Sequence, residues 1–208
     1  MEKKKLKYDT ILLLGPQGSG KTTQLGYLLE VIDAFSASVG QIIRDTITDS
    51  EKEEHKKAYQ DMVSGKLIDD SITHGLLVEA MTLMREKGDT KPHLIFDGFP
   101  RSIHQATTVH DLAEVYHGRK PKIAVVQMSM DFDASKKRCL DRAEYNKNSG
   151  KPVRADDTHD AIHARLELYF NNAPHVYGIL GEVADIHTFD AHKSREEIHS
   201  DVLAKLFE

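Results

Sequence analysis

The chain has a single cysteine, Cys139, among its 208 residues. That excludes an internal disulfide framework and a zinc site built from cysteines. No apolar run approaches the ~18 residues of a membrane-spanning helix. Positive charge is not in excess: the formal balance is −5, with 29% of residues charged, which argues against nucleic acid or a membrane surface as the default partner. The opening MEKKKLKYD is basic but leads into a strand, with no signal-peptide apolar core, so a cytoplasmic protein is expected. Internal repeats and linkers are lacking too. One domain over 1–208, with inserted subregions and a sizeable core, is the expectation.

There are twelve histidines, including His159 and His163 at helical i, i+4 spacing. No carboxylate stands in the H-E-x-x-H place and no cysteine joins them, so they read as solvated surface residues rather than metal ligands.

What the sequence does contain is GPQGSGKTTQ at 15–24. Gly15, four residues, then Gly20, Lys21 and Thr22 satisfy the phosphate-loop pattern G-x-x-x-x-G-K-[ST]. Glycines at 15, 18 and 20 let the backbone turn and aim successive N–H groups into one concavity. The candidate donor-phosphate residues are therefore Gly18, Ser19, Gly20, Lys21, Thr22 and Thr23. Lys21 supplies a mobile positive charge, and a Thr22 or Thr23 hydroxyl can face Mg²⁺. The context agrees. Four apolar residues, Ile11 to Leu14, precede the loop as a strand buried on both faces, and Leu25, Leu28, Leu29 and Ile32 follow at helical spacing.

Further along, strand-like runs at 93–97, 122–130 and 182–190 alternate with helical patterns at about 69–87, 133–145, 158–173 and the carboxyl terminus. Asp69 or Asp70 caps the first of these helices and Gly88 stops it. The alternation predicts a doubly wound α/β fold with a parallel sheet of about five strands flanked by helices, the P-loop NTPase arrangement. Ligands bind beyond the carboxyl ends of such strands, so Asp97 and the loop after Leu14 should meet. The polar stretch NKNSGKP (146–152) reads as a mobile loop between two helices.

A phosphate loop binds a donor; transfer also needs cations for the phosphoryl group in flight. Arg138 and Arg142 flank the polar loop on one side, Arg154 and Arg165 on the other. Alone, the Arg138/Arg142 pair would read as a solvated helix face. With a phosphate loop in the same chain, arginines bracketing a loop suit closure over a polyphosphate.

At this point the sequence resembles the nucleoside monophosphate kinases, and among them the adenylate kinase family, in its short-lid, zinc-free form. The resemblance runs along nearly the whole chain through GPQGSGKTTQ, SVGQIIR (38–44), GKLIDD (65–70), DGFPRSIHQA (97–106), RCLDR, RADD and ARLELY. It implies a reversible transfer of the γ-phosphoryl group of ATP to AMP, giving two ADP, with Mg²⁺ carried by ATP, no zinc, and a monomer. It also implies an acceptor-binding helical segment at 38–67 and a short lid at 143–156. In the acceptor site it places Val39, Arg44, Leu67, Ile68, Gly98, Arg101, Gln105, Arg154 and Arg165. Arg138 and Arg142 belong with the donor; Lys21, Arg101, Arg142, Arg154 and Arg165 form the catalytic set; Asp97 orients water on the metal beside Thr22.

Gln105 carries a donor and an acceptor, which suits the amine and ring nitrogen of adenine. Asp156 and Asp157 are expected to cap the next helix or to hold lid arginines. Three departures stand out. Thr22 replaces the family's usual glycine, while Val39 and Gln41 stand where threonine and aspartate are common. UMP, CMP or dAMP as acceptor, and a non-catalytic adenine-nucleotide sensor, remain alternatives.

Overall fold

The computed structural model describes residues 5–47, 52–152 and 154–208. Strands β1 (Thr10–Leu14), β2 (Ala34–Ser38), β3 (His93–Asp97), β4 (Ile123–Ser129) and β5 (Asp185–Asp190) form one parallel sheet in the order β2-β3-β1-β4-β5. This is the P-loop NTPase fold. β1 lies at the centre because all five of its residues are buried. Its alternate side chains serve two cores. Leu12 and Leu14 pack with residues of helices α4 (Asp70–Glu86), α5 (Ile103–His117) and α7 (His159–Leu180). Ile11 and Leu13 pack with α1 (Lys21–Val31) and α8 (Arg195–Leu206) on the other face.

β2 was not legible as a strand. Its sequence, AFSAS, has no apolar run, and it lies at the sheet edge with only Ala37 buried and only β3 as a partner. Beyond it the chain forms two short helices, α2 (Val39–Ile47) and α3 (Glu53–Val63), which lean on one another and on α4.

Two boundaries differ from expectation. Helix α6 runs from Phe132 to Asn148, so the first part of the 146–152 loop is helical, and the irregular connection to α7 is shorter than 143–156. Helix α7 does not end near 173 but continues through Pro174 to Leu180. An interior proline costs ~3 kcal/mol. Val176 and Leu180, both buried in the main core beyond it, each recover about 1.5–3 kcal/mol on burial.

The histidines are not uniformly solvated either. His55 is buried, His117 Nε2 bonds Thr10 Oγ1 at 2.9 Å, and His187 Nε2 bonds the Tyr8 hydroxyl at 3.0 Å. Among the described residues no group of three or more His, Cys, Asp or Glu is placed to hold a metal ion. No described helix is long and apolar enough to cross a membrane.

Candidate active site

The loop after β1 is confined from both sides. Gly15 has φ +147°, and a Cβ there would lie 2.6 Å from the Met128 carbonyl oxygen on β4. No side chain larger than hydrogen fits between the two strands. Gly20, left-handed at φ 91°, opens α1 without any side-chain cap. The first N–H groups of that helix are thus left for an anion, at the positive end of its dipole. Ser19 Oγ is buried in the loop with no partner, the kind of orphan that marks a ligand site.

Lys21 Nζ donates to the carbonyls of Gly15 and Pro16, each at 2.7 Å. Burial pushes its pKa down to about 8; Asp97 counteracts this, while Arg101 and Arg142 add to it. A bound polyphosphate restores the charged form, so binding takes up a proton wherever free Lys21 has lost one. Affinity for a polyphosphate is therefore full below the free value and falls as pH rises through about 8, by up to about tenfold per pH unit. Calorimetric titration with a nucleoside triphosphate across that range measures it, and Lys21→Met should remove the slope.

Facing the loop, β3 ends at Asp97, paired in register with Leu13, and Gly98 N–H donates to the Leu13 carbonyl at 3.0 Å. Gly98 is left-handed (φ +68°), and a Cβ on it would meet Arg101 Nη2 at 2.7 Å. The Phe99–Pro100 peptide is cis. Arg101 Nε donates to the Gly98 carbonyl at 2.6 Å, which folds the guanidinium back over the strand end. Its pKa is lowered by burial in the cleft walls and by Arg44, against the pull of Asp97. Arg44 is lowered too, by burial first and Arg154 second. Gln41 bridges its neighbours: its Oε1 accepts from Arg44 at 3.1 Å and its Nε2 donates to Asp45 at 2.7 Å. A glutamine can serve both, which an aspartate could not.

Helices α6 and α7 and the connection between them contribute a second set. Arg165 is held by the Asp156 carboxylate and donates to the Asp156 carbonyl at 2.6 Å. Arg142 Nη2 donates to Asp157 Oδ1 at 2.7 Å, with Arg165 3.7 Å from the same oxygen. The Arg165 pKa is lowered to about 10, by burial first and then by the repulsion of Arg101, Arg142 and Arg154. The two aspartates thus act as clamps and not as caps: Thr158 Oγ1 caps α7 by accepting from Ala161 N–H. Arg142 Nε, Arg165 Nε and Asp157 Oδ2 are buried without partners.

At the end of the cleft between α4 and α5, Asp69 caps α4 through Ser71 N–H at 2.8 Å. That leaves Asp70 to reach across to α5. Gln105 is buried there, its Oε1 accepting from Arg101 N–H and its Nε2 donating to Asp70 Oδ1, each at 2.7 Å. Beside the phosphate loop Arg138 Nη1 donates to the Ala191 carbonyl and Gln24 Nε2 to the Arg195 carbonyl, both at 2.9 Å. These two contacts hold the segment after β5 against the loop.

One cavity of about 990 Å³ collects the whole sequence-derived set: the loop from Gly18 to Thr23, Asp97, Gly98 and Gln105, the apolar Val39, Leu67 and Ile68, and all six arginines. It also takes in residues that sequence reasoning missed. Lys193, Ser194 and Arg195 line it just past β5, and the strand-end rule applied to the last strand would have found them. Tyr169, Asn172 and Tyr177 line it from within α7, where helical periodicity gave no hint of them.

A phosphate-cradling loop opposed across a cleft by converging guanidinium groups defines a P-loop phosphotransferase. The comparisons make the class specific. The chain matches the family Adenylate kinase over residues 13–180. It is 35% identical over 169 residues to the adenylate kinase of Jannaschia sp. (strain CCS1), covering 81% of this chain and 83% of that one. To the adenylate kinase of Chelativorans sp. (strain BNC1) it is 32% identical over 170 residues, 81% and 83%. To the UMP-CMP kinase of Rattus norvegicus it is 26% identical over 204 residues, 98% of each. The chain belongs to the adenylate kinase family and is a nucleoside monophosphate kinase.

Proposed function

We propose that the acceptor is AMP and that the reaction is ATP + AMP ⇌ 2 ADP. The observation that carries this reading is Gln105: buried at the acceptor end of the cavity, it keeps one N–H and one lone pair beyond its internal bonds. Adenine offers a matching ring nitrogen and amine. In this reading an acceptor phosphate oxygen attacks the γ-phosphorus of ATP as the bond from that phosphorus to the bridging oxygen breaks, leaving the electron pair on the departing ADP. The acceptor phosphate oxygen is already ionised, so no side chain has to act as a strong base. Arg44 and Arg101 orient the acceptor phosphate, Lys21 and the loop amides hold the donor, and Arg142, Arg154 and Arg165 neutralise the migrating group. Arg138 lies beside the donor base.

The residues present fit a magnesium ion brought in on ATP. Thr22 opens onto the cavity, and the half-buried Asp97 carboxylate exerts its charge on Lys21, Arg44 and Arg101. When bound, the ion neutralises β- and γ-phosphate oxygens.

Initial rates with MgATP and a panel of monophosphates test the proposal. AMP is expected to give the highest kcat/KM, exceeding UMP by at least about tenfold, the size of effect one well-placed hydrogen-bonding pair exerts. A preference for UMP or CMP would move the chain to the other specificity represented among its relatives. Tight ATP binding with no turnover of any acceptor would make it a sensor.

A further inference from the structure

We infer that Asp70 fixes the Gln105 amide in one orientation, and that this makes the acceptor site select bases with an amino group beside an unprotonated ring nitrogen over bases with a carbonyl beside a ring N–H. The inference rests on the reading that Gln105 meets the acceptor base. It goes further by naming what gives that contact its direction.

A glutamine amide is nearly the same shape either way round. Left to itself it can turn over and meet a donor–acceptor edge or its reverse, so Gln105 alone would not discriminate. In this structure it is not left to itself. It is 5% exposed, its Oε1 accepts from the Arg101 backbone N–H, and its Nε2 donates to Asp70 Oδ1. A backbone N–H can only donate, and a carboxylate can only accept. Turning the amide over would set N–H against N–H on one side and oxygen against oxygen on the other. Asp70 is itself held. The Ser102 hydroxyl lies 3.0 and 2.9 Å from its two oxygens, and that same Ser102 Oγ accepts from Gln105 N–H at 3.0 Å. The network closes on itself across α4 and α5.

What remains for a ligand is therefore one N–H at Nε2 and one lone pair at Oε1, in fixed positions on the cavity wall. Adenine and cytosine present an amine next to a ring acceptor. Hypoxanthine and uracil present the reverse. The locked amide satisfies the first pair and leaves both of its groups unpaired against the second.

Rates with MgATP and four acceptors, AMP, IMP, CMP and UMP, test this. In the wild type, kcat/KM for AMP over IMP and for CMP over UMP should each be at least about a hundred, since a site built for hydrogen bonds rejects mismatched partners strongly. Asp70→Asn presents an amide that can face Gln105 with either end, leaving only the Arg101 N–H to resist the flip. Both ratios should then fall about tenfold. A ratio does not depend on how much of the variant is folded. IMP used as well as AMP and UMP as well as CMP by the wild type would overturn the inference. So would unchanged ratios in Asp70→Asn with all four rates falling together, the mark of a merely structural role. CMP preferred over AMP, with the amino-over-carbonyl preference intact, would sink adenine as the acceptor base and leave the lock standing.

Discussion

Arg101→Ala lowers kcat/KM for the acceptor roughly a hundredfold to a thousandfold, the cost of removing one preorganised charge-stabilising donor from a transition state. The reason lies in how the side chain is set up before any ligand arrives. Its Nε is tied to the Gly98 carbonyl, Gly98 has no Cβ to push it away, and its own backbone N–H is bonded to Gln105. The guanidinium is therefore held in place, and held where burial and Arg44 make its charge uncomfortable. In the proposed reaction an incoming acceptor phosphate relieves that discomfort, and the fixed guanidinium holds it in line for attack. Arg101→Lys should recover less than about a tenth of the lost activity, because an ammonium cannot reproduce the planar fork. The stability cost should stay below about 1 kcal/mol, since the residue opens onto the cleft and adds no apolar core. Steady-state kinetics on both variants, with a thermal melt of each, measures the two effects separately.

Asp157→Ala is expected to destabilise the ligand-free protein by about 3 kcal/mol, near the lower end for breaking a buried ion pair. The Asp157 side chain is wholly buried and faces both Arg142 and Arg165. The lower end applies because Arg142 keeps some contact with solvent and Asp156 still holds Arg165. For a chain of this size the melting temperature should drop by roughly 6–12 °C. The more telling part is the ligand response. With Asp157 gone, Arg142 loses its carboxylate partner and Arg165 keeps only Asp156, a deficit that a polyphosphate can fill, so MgATP should raise the melting temperature of the variant more than that of the wild type. An equal shift in both would mean that the two arginines do not meet the nucleotide's phosphates.

Much of this arrangement was legible because it is local. GPQGSGKTTQ marks a loop with its helix and a preceding buried strand within one short stretch, and strong apolar runs such as ILLL and IAVV read as buried strands. Asp97 meeting the loop followed from topology alone. β2 was missed because an edge strand of alanine and serine carries no pattern, and its place is decided by pairing with β3. The length of α7 was missed because Pro174 is a local stop signal overridden by burial of Val176 and Leu180. In the site, the arginines could be found as charges without obvious purpose along the chain. Their restraints could not. That Asp156 and Asp157 clamp and Thr158 caps, or that Asp70 reaches Gln105 while Asp69 caps, depends on which of two adjacent residues faces inward. Sequence spacing does not distinguish neighbours of like chemistry.

Arg44, Arg101 and Arg165 each feel the repulsion of another cleft arginine, and a single ligand spanning both proposed nucleotide sites should quiet them together. Titration with a dinucleotide in which two adenosines are joined by a polyphosphate bridge measures this directly. The account predicts one molecule bound per chain, exclusion of both ATP and AMP, and a large loss of affinity in Lys21→Met and in Arg101→Ala alike. Binding that excludes only one nucleotide, or that is indifferent to Arg101, would contradict it.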